Sequence, residues 1–234
     1  NLPSPVMLNI AGHFIGRHAP SDLYDLVDGN LYFPLAIFEA CQLAGIDRVV
    51  NIGTSWEYCG DGTPEPANLY AALKACNAQL LEHYARQSHL RAINVKLNDT
   101  YGGDDNRAKL MPLLKAASQG GREIQLRTAA QPINLLHITD VIEGVLAAAV
   151  ETGVRTPSVG VPEAFLLACE TLSLGNLVAL LQGEIATNLK VSFDEPTQSK
   201  SDLRAVWEDA PRLSAWQSRV SLKDGLENYF GDAS

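Results

Sequence analysis

The chain has 234 residues, 46% hydrophobic and 19% charged, with a formal charge of -9, the profile of a globular protein with a sizeable core. The acidic balance and the lack of any Lys/Arg cluster argue against nucleic acid as a partner, because binders of the phosphate backbone present a basic face. No apolar run reaches the roughly 18 residues that span a bilayer, and the start NLPSPVMLNIAG has no basic signal-peptide region, so no membrane partner and a cytoplasmic location are expected.

Along the chain, VMLNIAG (6–12) predicts a buried strand ending in small residues, and residues 25–45 carry apolar side chains at helical spacing up to the helix stop Gly45. DRVVNIG (47–53) predicts a second buried strand, residues 66–87 a long helix and RAINVKLN (91–98) a third strand. Strand, helix, strand, helix, strand with β-branched runs implies parallel βαβ units. Beyond Tyr101 the pattern changes. A helix is expected over 109–120, an extended segment over 132–138, and an amphipathic helix over 139–151 with Thr139 or Asp140 near its N-cap. A short strand is expected at SVGV (158–161), a helix near 174–183, and a polar stretch over 194–202. The expected fold is α/β, a Rossmann-like parallel sheet flanked by helices with a small mixed C-terminal lobe. Residues 1–100 would form the sheet domain and 101–234 the lobe, with 132–161 returning to the sheet domain.

Of the four cysteines, none forms a CxxC pair or a metal-ligand spacing, so no metal is expected. Cys41 and Cys76 lie in apolar helical patterns and are expected to be buried thiols.

The second strand delivers Thr54 and Ser55 at its end, and the next helix carries Tyr70 and Lys74 in YAALK. Residues at i and i+4 project from one helical face. Leu69, Ala72, Leu73, Cys76, Leu80 and Tyr84 form the helix's apolar stripe, with Tyr70 and Lys74 toward one side. An ammonium close to a phenol favours the phenolate, and a tyrosine so tuned can exchange a proton with a substrate oxygen. A strand-end hydroxyl can hydrogen-bond the same oxygen. The spacing alone equally describes a Tyr–Lys pair on a solvated face. The order of elements adds weight, because it brings Thr54 and Tyr70 to the carboxyl edge of a parallel sheet, where open α/β folds bind ligands.

These residues together resemble the extended short-chain dehydrogenase/reductase family, the NAD(P)-dependent epimerases and dehydratases of nucleotide sugars. The resemblance runs in order along nearly the whole chain: VMLNIAG, Asn30 in DGNLYFP, NIGTSWEY, YAALK, VKLNDTYGG, KLMPLL, LLHITDVIEGV and SAWQSRVSLKDGL. Within the family the wording is most similar to reductases and epimerases of CDP- and dTDP-deoxysugars, such as the abequose and paratose synthases. The resemblance implies NAD or NADP as cofactor and Thr54, Tyr70 and Lys74 as catalytic residues. It implies Ala11, Gly12, Asn30 and Ile52, with Tyr70 and Lys74, on the cofactor side, Asn30 supporting the lysine. It implies Ser55, Trp56, Asn98 and Lys109 on the side of a nucleotide-sugar substrate. It also implies a homodimer through helices 25–45 and 66–87, with which exposed apolar residues such as Phe33, Phe38 and Leu81 are compatible; core packing explains the three equally well.

Three departures from the family pattern stand out. No glycine-rich pyrophosphate turn is present; the family's first strands would precede VMLNI, and the sequence is expected to be a piece of a longer chain. The dehydratases place Asp-Glu after the catalytic threonine, whereas Ser55-Trp56 follow Thr54, with Glu57 one place late, which favours reduction or epimerisation over elimination. An arginine expected near QPIN (131–134) is missing, leaving Lys109 or Arg107 for a diphosphate, and Lys96 replaces another arginine. His13 and His137 are read as a loop histidine and a partly buried one. The alternative is a catalytically inactive relative that binds a sugar nucleotide or a protein partner.

Overall fold

The computed structural model describes residues 4–88, 90–105, 107, 109–154, 162–194 and 204–231. In chain order its elements begin with β1 (Met7–Asn9), α1 (Leu23–Val27), α2 (Phe33–Ala44), β2 (Arg48–Thr54), α3 (Leu69–Ser88) and β3 (Arg91–Leu97). They continue with β4 (Asp99–Tyr101), α4 (Leu110–Gly120), β5 (Ile124–Leu126), β6 (Pro132–Ile133), β7 (Leu135–His137), α5 (Ile138–Val154) and β8 (Glu163–Leu167). The last are β9 (Leu172–Ser173), α6 (Leu174–Leu180), β10 (Val191–Phe193) and α7 (Leu222–Gly231). The described residues pack as two compact units. The first takes in Asn1–Asn98, Ile142–Leu167 and Trp207–Gln217, the second Asp99–Val141, Ala168–Val206 and Ser218–Ser234.

The first unit is a four-stranded sheet in the order β1-β2-β3-β8, parallel at every pairing. Six of the seven residues of β2 are buried, as a parallel sheet covered on both faces requires. The expected α/β architecture is therefore present. Val49 packs with Phe38 and Cys41 of α2 and Leu81 and Tyr84 of α3, so the β2 face carrying Val49, Asn51 and Gly53 looks toward these helices. A π-helical turn, Asp28–Tyr32, joins α1 to α2, and Gly45, at φ 68°, ends α2 in the left-handed conformation. The strand expected over 158–161 lies outside the described residues; β8, over Glu163–Leu167, pairs with β3.

The second unit holds three two-stranded pairs, β4 with β7, β5 with β10 and β6 with β9. Its core gathers Tyr101, Met111, Leu114, Leu135, Leu177 and Leu226 from five different elements. Asp140 falls inside the first turn of α5 and does not cap it. Its buried carboxylate accepts the backbone N–H groups of Arg219 and Val220, both at 3.0 Å, which pins the chain ahead of α7.

Of the residues open to either an interface or a core reading, Phe38 and Leu81 are fully buried between helices and sheet and Phe33 is exposed. Two sequence expectations on α3 are corrected. Cys76 is exposed. The inner face of α3 carries Ala71, Leu73, Lys74, Asn77, Leu81 and Tyr84, rotated away from Ala72, Cys76 and Leu80. Apolar periodicity could not place a lysine and an asparagine on the inner face. They are accommodated because each finds a partner there, Asn77 donating to the Asn30 carbonyl and Lys74 to the Ala11 carbonyl.

Candidate active site

The carboxyl ends of β1 and β2 and the first turns of α3 bring together most of the residues that the sequence singles out. Asn30 is fully buried and clamps the segment leaving β1. Its Oδ1 accepts His13 N–H at 3.1 Å, and its Nδ2 donates to the carbonyls of His13 (2.8 Å) and Leu26 (2.9 Å). The π turn presents this side chain inward, in keeping with the frequent placing of such turns at functional sites. A Cβ on Gly12 would lie 3.2 Å from Asn30 Oδ1 and 3.5 Å from Lys74 Nζ, so the bare backbone of Gly12 borders both side chains.

Lys74 is 3% exposed. An ammonium has three N–H donors, and among the described residues Lys74 makes one hydrogen bond, a 3.4 Å contact to Ala11 O. Burial pushes its pKa down to about 8, opposed by the negative charge of Glu57 and assisted by the positive charge of Lys96. Tyr70 lies one helical turn earlier and is half-buried. The Phe14 ring meets the Tyr70 ring edge-on at 5.1 Å and the Trp56 ring at 6.0 Å, so Trp56 and Tyr70 share one aromatic corner. Ile52 is buried within β2.

Gly53 and Thr54 are consecutive in an extended strand, so their side-chain positions face opposite sides of the sheet. Gly53 belongs to the side turned toward α3, and Thr54 leaves the other. The Thr54 hydroxyl accepts the Trp56 N–H at 3.3 Å, capping the short 3-10 turn Ser55–Glu57. Ser55 is buried, and its hydroxyl makes no hydrogen bond among the described residues. Asn98, just past the end of β3, has a buried amide nitrogen without a hydrogen-bond partner among the described residues. Lys109 stands in the second unit, at the start of α4, with Asp99 and Asp105 as its acidic neighbours. Arg107 is paired with Asp105 at 2.7 Å.

Two buried polar systems lie beneath this edge. Asn9 donates to Asn51 at 2.7 Å, and Asn51 donates to Asn94 at 2.9 Å, a line of amides across three strands in register. At the next inward-facing position, Lys96 pairs with Glu57 at 2.5 Å, with side chains 1% and 2% exposed. Lys96 is thereby the partner of an acid.

Residues 6–159 match the model of the NAD dependent epimerase/dehydratase family. CDP-abequose synthase of Yersinia pseudotuberculosis is 29% identical over 146 residues, 62% of this chain and 51% of the relative. The chain thus spans about half the length of that curated relative. Among solved structures, MoeE5 in complex with UDP-glucose and NAD superposes with a TM-score of 0.79 at 18% identity, over 97% of this chain and 78% of the other. UDP-glucuronic acid 4-epimerase from Bacillus cereus in complex with NAD gives 0.77 at 22% identity, over 97% and 73%. These likenesses show the same fold.

Proposed function

The chain belongs to the NAD dependent epimerase/dehydratase family, and on that premise we propose that it carries a nicotinamide-dependent site that reduces or epimerises a keto-deoxysugar linked to a nucleotide. The observation that carries the reading is Lys74: a buried ammonium at the carboxyl edge of a parallel sheet, one helical turn from a tyrosine, with donors unspent. Buried donors without partners are costly, and the hydroxyls of a nucleotide ribose are acceptors that would satisfy them. The small residues Ala11 and Gly12 lie beside it, and Asn30 holds the backbone of the next residue, His13, through both its N–H and its carbonyl. The residues present therefore fit a dinucleotide, with Ala11, Gly12, Asn30, Ile52, Tyr70 and Lys74 on its side of the cleft.

When bound, the nicotinamide supplies hydride transfer to or from a sugar carbon. The chain's own residues handle the proton. In the reductive direction Tyr70 gives its phenolic proton to the carbonyl oxygen, and the Lys74 charge stabilises the phenolate left behind. Thr54 and Ser55 are the hydroxyls available to hold that oxygen. Ser55 is the stronger of the two, because the Thr54 hydroxyl faces away from α3 and caps its own turn. Trp56 and Asn98 would contact the sugar nucleotide, and Lys109 its diphosphate.

Glu57 supports reduction or epimerisation over elimination. One of its oxygens accepts Thr54 N–H at 2.8 Å and the other accepts from Lys96, so its carboxylate is engaged on both sides and is not poised as a base. The likeness to an enzyme named for CDP-abequose supports a deoxysugar substrate. We read the first unit as the dinucleotide part and the second as the substrate lobe; the segments that return to the first are Ile142–Leu167 and Trp207–Gln217 in place of the expected 132–161. The protein would be a cytoplasmic homodimer through helices 25–45 and 66–87, supported by exposed Tyr32, Phe33 and Leu43 on the first of them.

The test is a titration of the full-length protein with NADH and NADPH. One of them is expected to bind, with affinity at least about tenfold weaker in Lys74→Met, the equivalent of one charge-assisted hydrogen bond. Failure of the folded full-length protein to bind either would overturn the reading and favour an inactive relative.

A further inference from the structure

Register, not sequence proximity, brings Lys96 to Glu57. Gly53 is the β2 residue directly opposite Lys96 of β3. A Cβ at Gly53 would lie 2.5 Å from Glu57 Oε1 and 2.7 Å from Lys96 Nζ. The missing side chain is the slot in which the pair sits. Glu57 Oε1 accepts Thr54 N–H, Glu57 Oε2 accepts from Lys96 Nζ, and the ammonium also lies 5.7 Å from the centre of the Tyr58 ring. The turn that carries Thr54, Ser55 and Trp56 is thus tied at its first N–H to a carboxylate, and that carboxylate is neutralised from the neighbouring strand.

A buried ion pair is weak evidence of stabilisation, because desolvation offsets most of its attraction. That the slot holds two charges where two apolar side chains would pack asks for another role. The turn that carries Glu57 packs against α3, the helix of Lys74. The pair fills the Gly53 slot on the sheet face turned toward that helix. From there the two charges act on Lys74 in opposite senses. We propose that Glu57 and Lys96 are positioning residues: together they hold the hydroxyl-bearing turn 54–57 and set the electrostatic field in which Lys74 works. The proposal rests on the reading of Lys74 as the working ammonium of the site. The charged groups acting on Lys74 are Glu57 from the turn and Lys96 from β3.

The test follows the Lys74 side chain itself, so it needs no substrate. With lysine labelled at 13Cε and the signal assigned by its loss in Lys74→Met, the titration midpoint is read in the wild type, Glu57→Gln and Lys96→Met. Removing the carboxylate is expected to lower the midpoint, and removing the second cation to raise it. A purely structural pair would give no such opposed shifts. Coincident midpoints, or the reverse order, would overturn the proposal.

Either single change leaves a buried charge without its partner, so Glu57→Met/Lys96→Met, which removes both, provides the second arm. Hydrophobic replacement of a whole buried pair is commonly tolerated. In it the Thr54 amide is expected to exchange hydrogen at least about tenfold faster relative to neighbouring β2 amides, the loss of one charge-assisted hydrogen bond. Its midpoint should fall below the wild-type value, because the Glu57 effect on Lys74 is the larger of the two. Unchanged Thr54 exchange with an unchanged midpoint would sink the proposal. Opposed shifts in a protein that binds no nicotinamide nucleotide would sink the functional reading and leave the role of the pair standing.

Discussion

Two regions at the carboxyl end of the sheet treat a buried lysine in opposite ways. Under Gly53, Lys96 has a carboxylate at 2.5 Å and a glycine slot shaped around the pair. Beside Ala11, Lys74 is almost as deeply buried and has one long hydrogen bond to a carbonyl. The first ammonium has its counter-charge inside the fold. The second has donors to spare and a proton affinity lowered by burial, which is the condition expected of a group that awaits a ligand. The two lysines of one unit differ in what the fold has left for them to do.

Breaking the satisfied region should have the larger effect. Lys96→Met alone leaves Glu57 buried without a counter-charge and is expected to cost about 3–5 kcal/mol, read as a lowered urea midpoint. A loss under about 1 kcal/mol would mean that water reaches the pair and the contrast is false.

The unsatisfied region should respond the other way. The Lys74 pKa is lowered from 10.5 to about 8, so between these values the unfolded chain binds more protons than the folded one. Stability then rises with pH across that window. Lys74→Met should remove this slope, and below pH about 8 it should stabilise the protein by on the order of 3 kcal/mol. Unfolding free energies across the window decide the matter; a slope that survives the substitution would assign it to another group. In the active enzyme the same loss of the proton predicts turnover that declines as pH rises through about 8.

Much of this was legible in the sequence, for identifiable reasons. Alternating apolar strands and helices announced the parallel sheet, and YAALK following a strand that ends in hydroxyls announced the helix that carries Tyr70 and Lys74 at its edge. The asparagine line was written there too. MLNI, VVNI and AINV each carry one asparagine before a branched residue, and parallel register sets Asn9, Asn51 and Asn94 side by side. The Glu57–Lys96 pair was not legible. Its members are 39 residues apart, both charged, and hydropathy assigns charges to the surface. Only the β2–β3 register places Lys96 opposite Gly53. For the same reason the inner face of α3 was misread, since Lys74 and Asn77 occupy positions that periodicity reserves for apolar side chains. The choice between Thr54 and Ser55 depended on the pleat, which strand boundaries uncertain by one residue do not resolve.

In the proposed reaction the proton comes from the phenol of Tyr70, one helical turn from Lys74. The most direct measurement is turnover of full-length Tyr70→Phe against the wild type, with a nucleotide-linked keto-deoxysugar and the nicotinamide cofactor that binds. Loss of a proton-transfer group predicts a fall of roughly 10²–10⁴-fold in kcat with cofactor affinity and unfolding midpoint retained. Turnover within a few-fold of the wild type would contradict the account and move the proton transfer to another residue.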